Sequence, residues 1–165
     1  MSTPHDDLDF EIRDATIEDA ATIAEFNSRL SDETEGKRLD PKLIGPGVVA
    51  MLSDASKGRY WVAEKDGEVI GQIMVTLEWS DWRNGMIWWI QSVYIRDDYR
   101  RAGVFTALYR HVESLAKETP DVTGIRLYVE KSNERAQAAY VKLGMIDTDY
   151  RMMQTIWRRT FPGDA

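Results

Sequence analysis

The 165-residue chain contains no cysteine and only two histidines, His5 and His111. Without thiols it has no disulfide, no thiolate nucleophile and none of the commonest zinc ligand sets. His5 lies in a polar N-terminal stretch and His111 within a helical pattern, so neither a Ser-His-Asp triad nor a bound metal is expected. Basic charge is also scarce: 21 Lys and Arg against 28 Asp and Glu give a formal net charge of −7. Nucleic-acid binding depends largely on a basic surface, so no nucleic-acid partner is expected. An acidic rim suits amine-bearing substrates, although solubility explains it equally well. Long apolar runs are absent too. No stretch reaches the length of a membrane span, and "MSTPHDDLDF" lacks the basic start and apolar core of a signal peptide, so the expectation is a cytoplasmic protein without a membrane partner.

The 43% apolar and 30% charged residues fit one globular domain that buries its core without staples. "FEIRDA" alternates like a first strand, and Thr16 with Asp19 resembles a capping box opening a helix through Ile23, Phe26 and Leu30. The polar stretch "SDETEGKRLDPK" predicts a flexible connection, and "LIGPGVVAML" a short helix. From residue 59 the pattern turns to β: "RYWVAE", Asp66-Gly67, "EVIGQIMVTLEW", Asn84-Gly85 and "MIWWIQSVYI". Asp-Gly and Asn-Gly predict hairpins with positive φ at both turn residues, hence an antiparallel meander. A helix after Gly103, a strand at 124–130, a helix from about Asn133 to Leu143 stopped by Gly144, and a closing strand "YRMMQTIW" complete the pattern. The segment from Trp88 to Glu130 reads as one parallel βαβ unit.

From "DDYRRAGVFTALYR" onward, Phe105, Leu108, Tyr109, Val112, Leu115 and Ala116 recur at helical spacing, which puts Arg100 and Arg101 at a helix entrance. Open backbone N–H groups, the positive end of the helix dipole and a glycine that admits close approach suit a phosphate there. An ordinary solvated turn fits these residues as well. In "NERAQAAYVKLGM", Asn133 can cap a helix that carries Ala136 and Tyr140 on one face, which taken alone describes a core tyrosine behind a helix cap.

The order "SVYI", "YRRAG", "RLYVEKSN", "RAQAAYVKLGM" resembles the GNAT superfamily of acyl-coenzyme-A-dependent N-acyltransferases, over roughly Phe10 to Trp157. The family's motifs run strand, Arg/Gln-x-x-Gly-x-Gly/Ala, helix, strand, then Asn-x-x-Ala-x-x-x-Tyr. The resemblance implies an α/β (α+β) single domain over residues 9–158, with a mixed, mostly antiparallel sheet and helices on both faces; 1–8 and 159–165 are expected to be flexible tails.

It further implies acetyl-coenzyme A (acetyl-CoA) as cosubstrate. Arg100, Arg101, Ala102, Gly103, Val104 and Phe105 match the pyrophosphate loop, with Thr106 adding a hydroxyl. Val93 and Ile95 match the strand whose backbone pairs with the pantetheine arm. Asn133 matches the contact where the parallel strands splay, and Tyr140 the general acid that protonates the departing thiolate. Phe105 departs from the family's Gly or Ala, so its ring must turn into the helix's apolar face. With neither cysteine nor a suitable histidine, direct attack by an amine is the expected chemistry.

The base is less defined, because Gln91 stands where the family commonly has Glu. Glu78 on the neighbouring strand is the first candidate and Glu130 a poorer one, each also readable as a solvated carboxylate. Trp79, Trp82, Trp88 and Trp89 surround Asn84-Gly85; Trp79 and Trp89 are candidates for the acceptor side, against sheet packing. Glu33 and Glu35, in the predicted connection, could hold an amine or simply face solvent. The expected activity is acetyl transfer to a primary amine, a small molecule ahead of a protein or peptide. A coenzyme-A-binding sensor without catalysis is the rival from another class, and a homodimer is possible.

Overall fold

The computed structural model describes residues 9–158; the expected tails, 1–8 and 159–165, and with them His5, lie outside the described residues. Five strands form one sheet in chain order: β1 (Glu11–Asp14), β2 (Arg59–Lys65), β3 (Glu68–Ser80), β4 (Gly85–Ile95) and β5 (Val122–Arg126). The first four are antiparallel and β5 runs parallel to β4, as the meander and βαβ patterns predict.

The two hairpins are built differently. Asp66 (φ 51°) and Gly67 (φ 79°) make the expected two-residue turn between β2 and β3. At the second, Ser80 pairs with Gly85, so residues 81–84 form a four-residue loop in which only Asn84 has positive φ, 46°. Gly85 serves close approach instead: a Cβ there would sit 2.5 Å from Thr123 Cγ2 and 2.9 Å from Asp121 O. The neighbouring Met86 N–H donates to Asp121 O at 2.6 Å, so β4 starts hard against the chain entering β5.

Helices α1 (Ala20–Glu35) and α2 (Pro41–Ser53) cover one face of the sheet; α3 (Val104–Glu118) and α4 (Glu134–Lys142) cover the other. The Asp19 carboxylate accepts the Thr16 N–H at 2.7 Å and is gripped by both terminal nitrogens of Arg13 at 2.8 and 2.9 Å, which fixes the entrance to α1. The stretch expected as a flexible connection is mostly helix. Its polar residues occupy the solvated last turns of α1, which stops only at Gly36 (φ 63°), whose N–H returns to Asp32 O. Asp40 then caps α2 by accepting the Lys42 N–H at 2.9 Å.

Trp61, Ile73, Val75, Trp88 and Ile90 pack on Val104, Leu108 and Val112 of α3, while Ile23, Val48, Tyr60 and Val62 form a smaller core under α1 and α2. Truncating a fully buried side chain such as Leu108 to Ala costs about 2–5 kcal/mol. Two strand expectations change. β5 covers 122–126 rather than 124–130, because β4 and β5 separate there, and "YRMMQTIW" forms no strand, since its backbone meets no neighbouring strand among the described residues.

Candidate functional site

β4 pairs Met86, Ile87, Trp88 and Trp89 with Val122, Gly124, Ile125 and Arg126 of β5, and beyond Trp89 and Arg126 the strands part. Arg96 N–H donates to Ile70 O at 2.9 Å on the β3 side. By the antiparallel alternation, Tyr94 and Ser92 also turn their backbone groups to β3, and those of Val93 and Ile95 face the gap. An extended, polar-backboned ligand can add there as a strand. Arg100 Nε donates to Ile95 O at 3.0 Å and takes one of these acceptors.

The chain leaves β4 through a 3-10 turn at Asp97–Tyr99 and enters α3 through a tight loop in which Arg101 (φ 65°) and Gly103 (φ 81°) are left-handed. The first helical N–H to reach a carbonyl is that of Ala107, on Gly103 O at 3.0 Å. The N–H groups of Val104, Phe105 and Thr106 are therefore left for water or a ligand. A Cβ on Gly103 would meet nothing within 4 Å, so the space above this helix end is clear for an anion.

The two arginines do different things. Arg100 Nη2 lies 2.7 Å from Glu33 Oε2 and 2.8 Å from Asp97 Oδ1, with its guanidinium over the Tyr94 ring. Arg101 has no partner among the described residues and is the cation free to meet a phosphate.

Phe105 turns inward, as its bulk requires, and meets the Tyr140 ring edge to face at 5.6 Å between centroids. This contact sets Tyr140 against the first turn of α3, beside the loop. Asn133 caps α4 by accepting the Ala136 N–H at 3.1 Å. Burial pushes the Tyr140 phenol up to about 12, with the nearby Tyr109 adding to it, and its hydroxyl has no hydrogen-bond partner among the described residues. A phenol so placed stays protonated and available as a donor across the physiological range.

On the sheet surface beside the gap, Trp89 Nε1 and Arg126 Nη1 both donate to Glu78 Oε2, at 2.8 and 3.0 Å, and leave Oε1 open. Tyr128 OH donates to Gln91 Oε1 at 3.1 Å, and Gln91 Nε2 to Thr76 Oγ1 at 3.0 Å. Arg126, Tyr128 and Thr76 escape sequence reading: their only signal is period-two spacing with Glu78, Trp89 and Gln91, which says nothing about which strands lie side by side. Of the tryptophans, Trp88 is core against Trp61, and Trp79 and Trp82 are exposed. Glu130 accepts from the backbone and hydroxyl of Ser132, which hold its carboxyl below the ordinary range, so it serves as a turn residue. Glu33 and Glu35 sit in the last turn of α1, not in a lid loop, and Glu33 is already committed to Arg100 and to the Tyr94 hydroxyl at 3.3 Å.

A family profile described as "Acetyltransferase (GNAT) family" matches residues 22–145, a span that holds the gap, the loop and α4. The chain belongs to the GNAT family. Among solved structures this GNAT chain is similar to a possible acetyltransferase from Clostridium difficile 630, with a TM-score of 0.86 and 45% identity over 91% of this chain and 99% of that one. Curated relatives include an N-alpha-acetyltransferase from Sulfurisphaera tokodaii, 34% identical over 52% of this chain and 54% of the relative. An uncharacterized N-acetyltransferase from Methanocaldococcus jannaschii is 33% identical over 53% of each chain. The chain thus spans about half the length of these curated relatives.

Proposed function

We propose that the protein is an acetyl-CoA-dependent N-acetyltransferase acting on a primary amine by direct attack. The observation that carries this reading is the parting of β4 from β5 beside the open helix end at Gly103. The residues fit the cosubstrate. Backbone groups of Val93 and Ile95 would pair with the pantetheine arm; N–H groups of Val104, Phe105 and Thr106, with the Arg101 side chain, would take the pyrophosphate; and the Asn133 amide would reach the arm where the strands part.

Acetyl-CoA supplies a thioester, whose C–S bond breaks as the amine's N–C bond forms. Glu78 Oε1, the oxygen left open by Trp89 and Arg126, accepts the proton that the ammonium must lose. Tyr140 OH donates its proton to the departing thiolate sulfur, and the second proton, which the nitrogen sheds on becoming an amide, passes through solvent to restore the phenol. Trp89 lies against Glu78 on the acceptor side, where an aromatic face and a carboxylate together suit a cationic amine, and Trp79, the next residue of β3, leaves the opposite face of the strand.

A small-molecule amine is the preferred acceptor, on the acidic surface and the aromatic groups around Glu78. The N-terminal amine of a polypeptide is the second reading, supported by the relative named N-alpha-acetyltransferase. The test is release of free coenzyme-A thiol across a panel of small amines and peptides. Turnover confined to small amines supports the first reading and turnover confined to peptide N-termini the second. Tight acetyl-CoA binding with no turnover on either set would leave a sensor.

A further inference from the structure

Trp89 and Arg126 are the last residues that β4 and β5 pair. Two positions further along each strand, just past the parting, stand Gln91 and Tyr128, and their side chains still meet: the Tyr128 OH donates to Gln91 Oε1 at 3.1 Å. Gln91 is the extra residue of a bulge in β4, since Met74 pairs with Ser92 and Val75 with Ile90. Its amide is anchored at the other end as well, where Nε2 donates to Thr76 Oγ1 at 3.0 Å. The phenol's one proton is therefore committed, and its oxygen has only lone pairs left to offer. At 56% exposed, Tyr128 offers them to whatever enters from solvent.

We infer that the Tyr128 oxygen is a second anchor for the attacking amine, across Trp89 from Glu78, and that Gln91 sets it in that role by holding its proton. The inference rests on the reading of the parted strands as the coenzyme site. There the arm would run between β4 and β5 and end where they rejoin, so the thioester comes to rest beside the Tyr128–Gln91 bridge. Trp89 joins the two anchors: its Nε1 donates to Glu78 Oε2 at 2.8 Å, and its ring lies 6.2 Å from that of Tyr128, tilted by 51°. An ammonium over this indole can donate one N–H to the open Glu78 Oε1 and a second to the Tyr128 oxygen. A second anchor is needed, because Arg126 shares Glu78 Oε2 at 3.0 Å and offsets part of the carboxylate's charge. Two contacts also hold the nitrogen near the thioester, which lowers the entropy cost of attack. Gln91, standing where a Glu is commonly expected, then has a use of its own. Its amide takes the phenol's proton and gives one to Thr76 at the same time.

The test uses the full-length protein and, as probe, the amine or peptide of the thiol-release panel that is turned over fastest. Tyr128→Phe keeps the ring beside Trp89 and removes the oxygen. It is expected to raise the KM for the probe about tenfold, the scale of one charge-assisted hydrogen bond, with kcat nearly unchanged and the acetyl-CoA dissociation constant the same. Gln91→Leu frees the phenol's proton and should raise the same KM by a similar factor; joined to Tyr128→Phe, it should add nothing further. Gln91→Glu still accepts from the phenol, while Thr76 turns its own proton, and should recover most of the loss seen with Leu. A Tyr128 that merely braced the parted strands would shift the acetyl-CoA dissociation constant and spare the KM of the amine. That pattern overturns the inference, as does a rise in KM below threefold, additivity of the two changes, or a Gln91→Glu variant no better than Gln91→Leu. Each of these leaves the acetyltransferase reading standing, because the unmodified protein still turns over the probe. An unmodified protein that turns over no member of the panel overturns that reading, and this inference with it.

Discussion

Glu33 Oε2 lies 2.7 Å from Arg100 Nη2, and this ion pair ties the last turn of α1 to the loop that enters α3. Both side chains are more than a third exposed, so the pair adds little to stability, under about 1 kcal/mol. Its consequence is positional. Glu33→Gln should release Arg100 and raise the KM for acetyl-CoA about threefold, and should add nothing when Arg100 is already Ala, the non-additivity of two groups acting as one. A higher KM for the amine alone would move Glu33 to acceptor binding.

Arg101, with no partner among the described residues, should matter more for the cofactor. Arg101→Ala is expected to weaken acetyl-CoA binding about tenfold, the scale of one charge-assisted hydrogen bond. Gly103→Glu should abolish it, since it sets a carboxylate in the clear space above the helix end and a side chain at φ 81°. Calorimetry on variants shown to be folded by circular dichroism reads both.

Tyr140→Phe keeps the ring against Phe105 and removes one oxygen. The expected loss in kcat is about 100-fold or more with acetyl-CoA affinity retained. A merely structural tyrosine, whose hydroxyl has no partner among the described residues, would keep both its stability and its turnover nearly intact. Since burial pushes the phenol up to about 12, the acid form persists through pH 10, and kcat should show no descending alkaline limb below that pH. A limb near pH 8 to 9 would exclude Tyr140 as the donor.

Glu78→Gln preserves an acceptor for Trp89 and Arg126 but cannot take a proton. The expected outcome is a fall in kcat of about 100-fold, with the acetyl-CoA dissociation constant unchanged. Full activity would pass the proton to solvent and return Glu78 to a structural ion pair.

Arg13 holds the Asp19 carboxyl below its ordinary range, an effect that outweighs the opposing desolvation. A carboxylate depressed in the folded state stabilises the fold above its unfolded value, near 4, and loses that contribution as pH falls toward the folded value. Asp19→Asn should therefore cost about 1–2 kcal/mol at pH 7, and the difference should shrink below about pH 4. Denaturant midpoints at pH 7 and pH 3 check it.

Much of this architecture was legible in the sequence, because its signals are local. Asp66-Gly67 needs only two residues to set a hairpin, Gly103 needs only its own backbone, and the apolar stripe from Phe105 to Ala116 declares a helix whatever it packs against. The alternation in β2, β3 and β4 likewise names strands without naming neighbours. Tertiary structure decided whatever depends on what lies beside a residue. The polar run after Ser31 stayed helical because α1 carries its solvated face that far, and Gly85 proved to be a close-approach residue only once Thr123 lay against it. Arg100 and Arg101 are adjacent in sequence, yet only folding brought Glu33 to one of them and left the other free. "YRMMQTIW" has the pattern of a strand, but a strand exists through its partner's hydrogen bonds, and no periodicity within one segment can supply the partner.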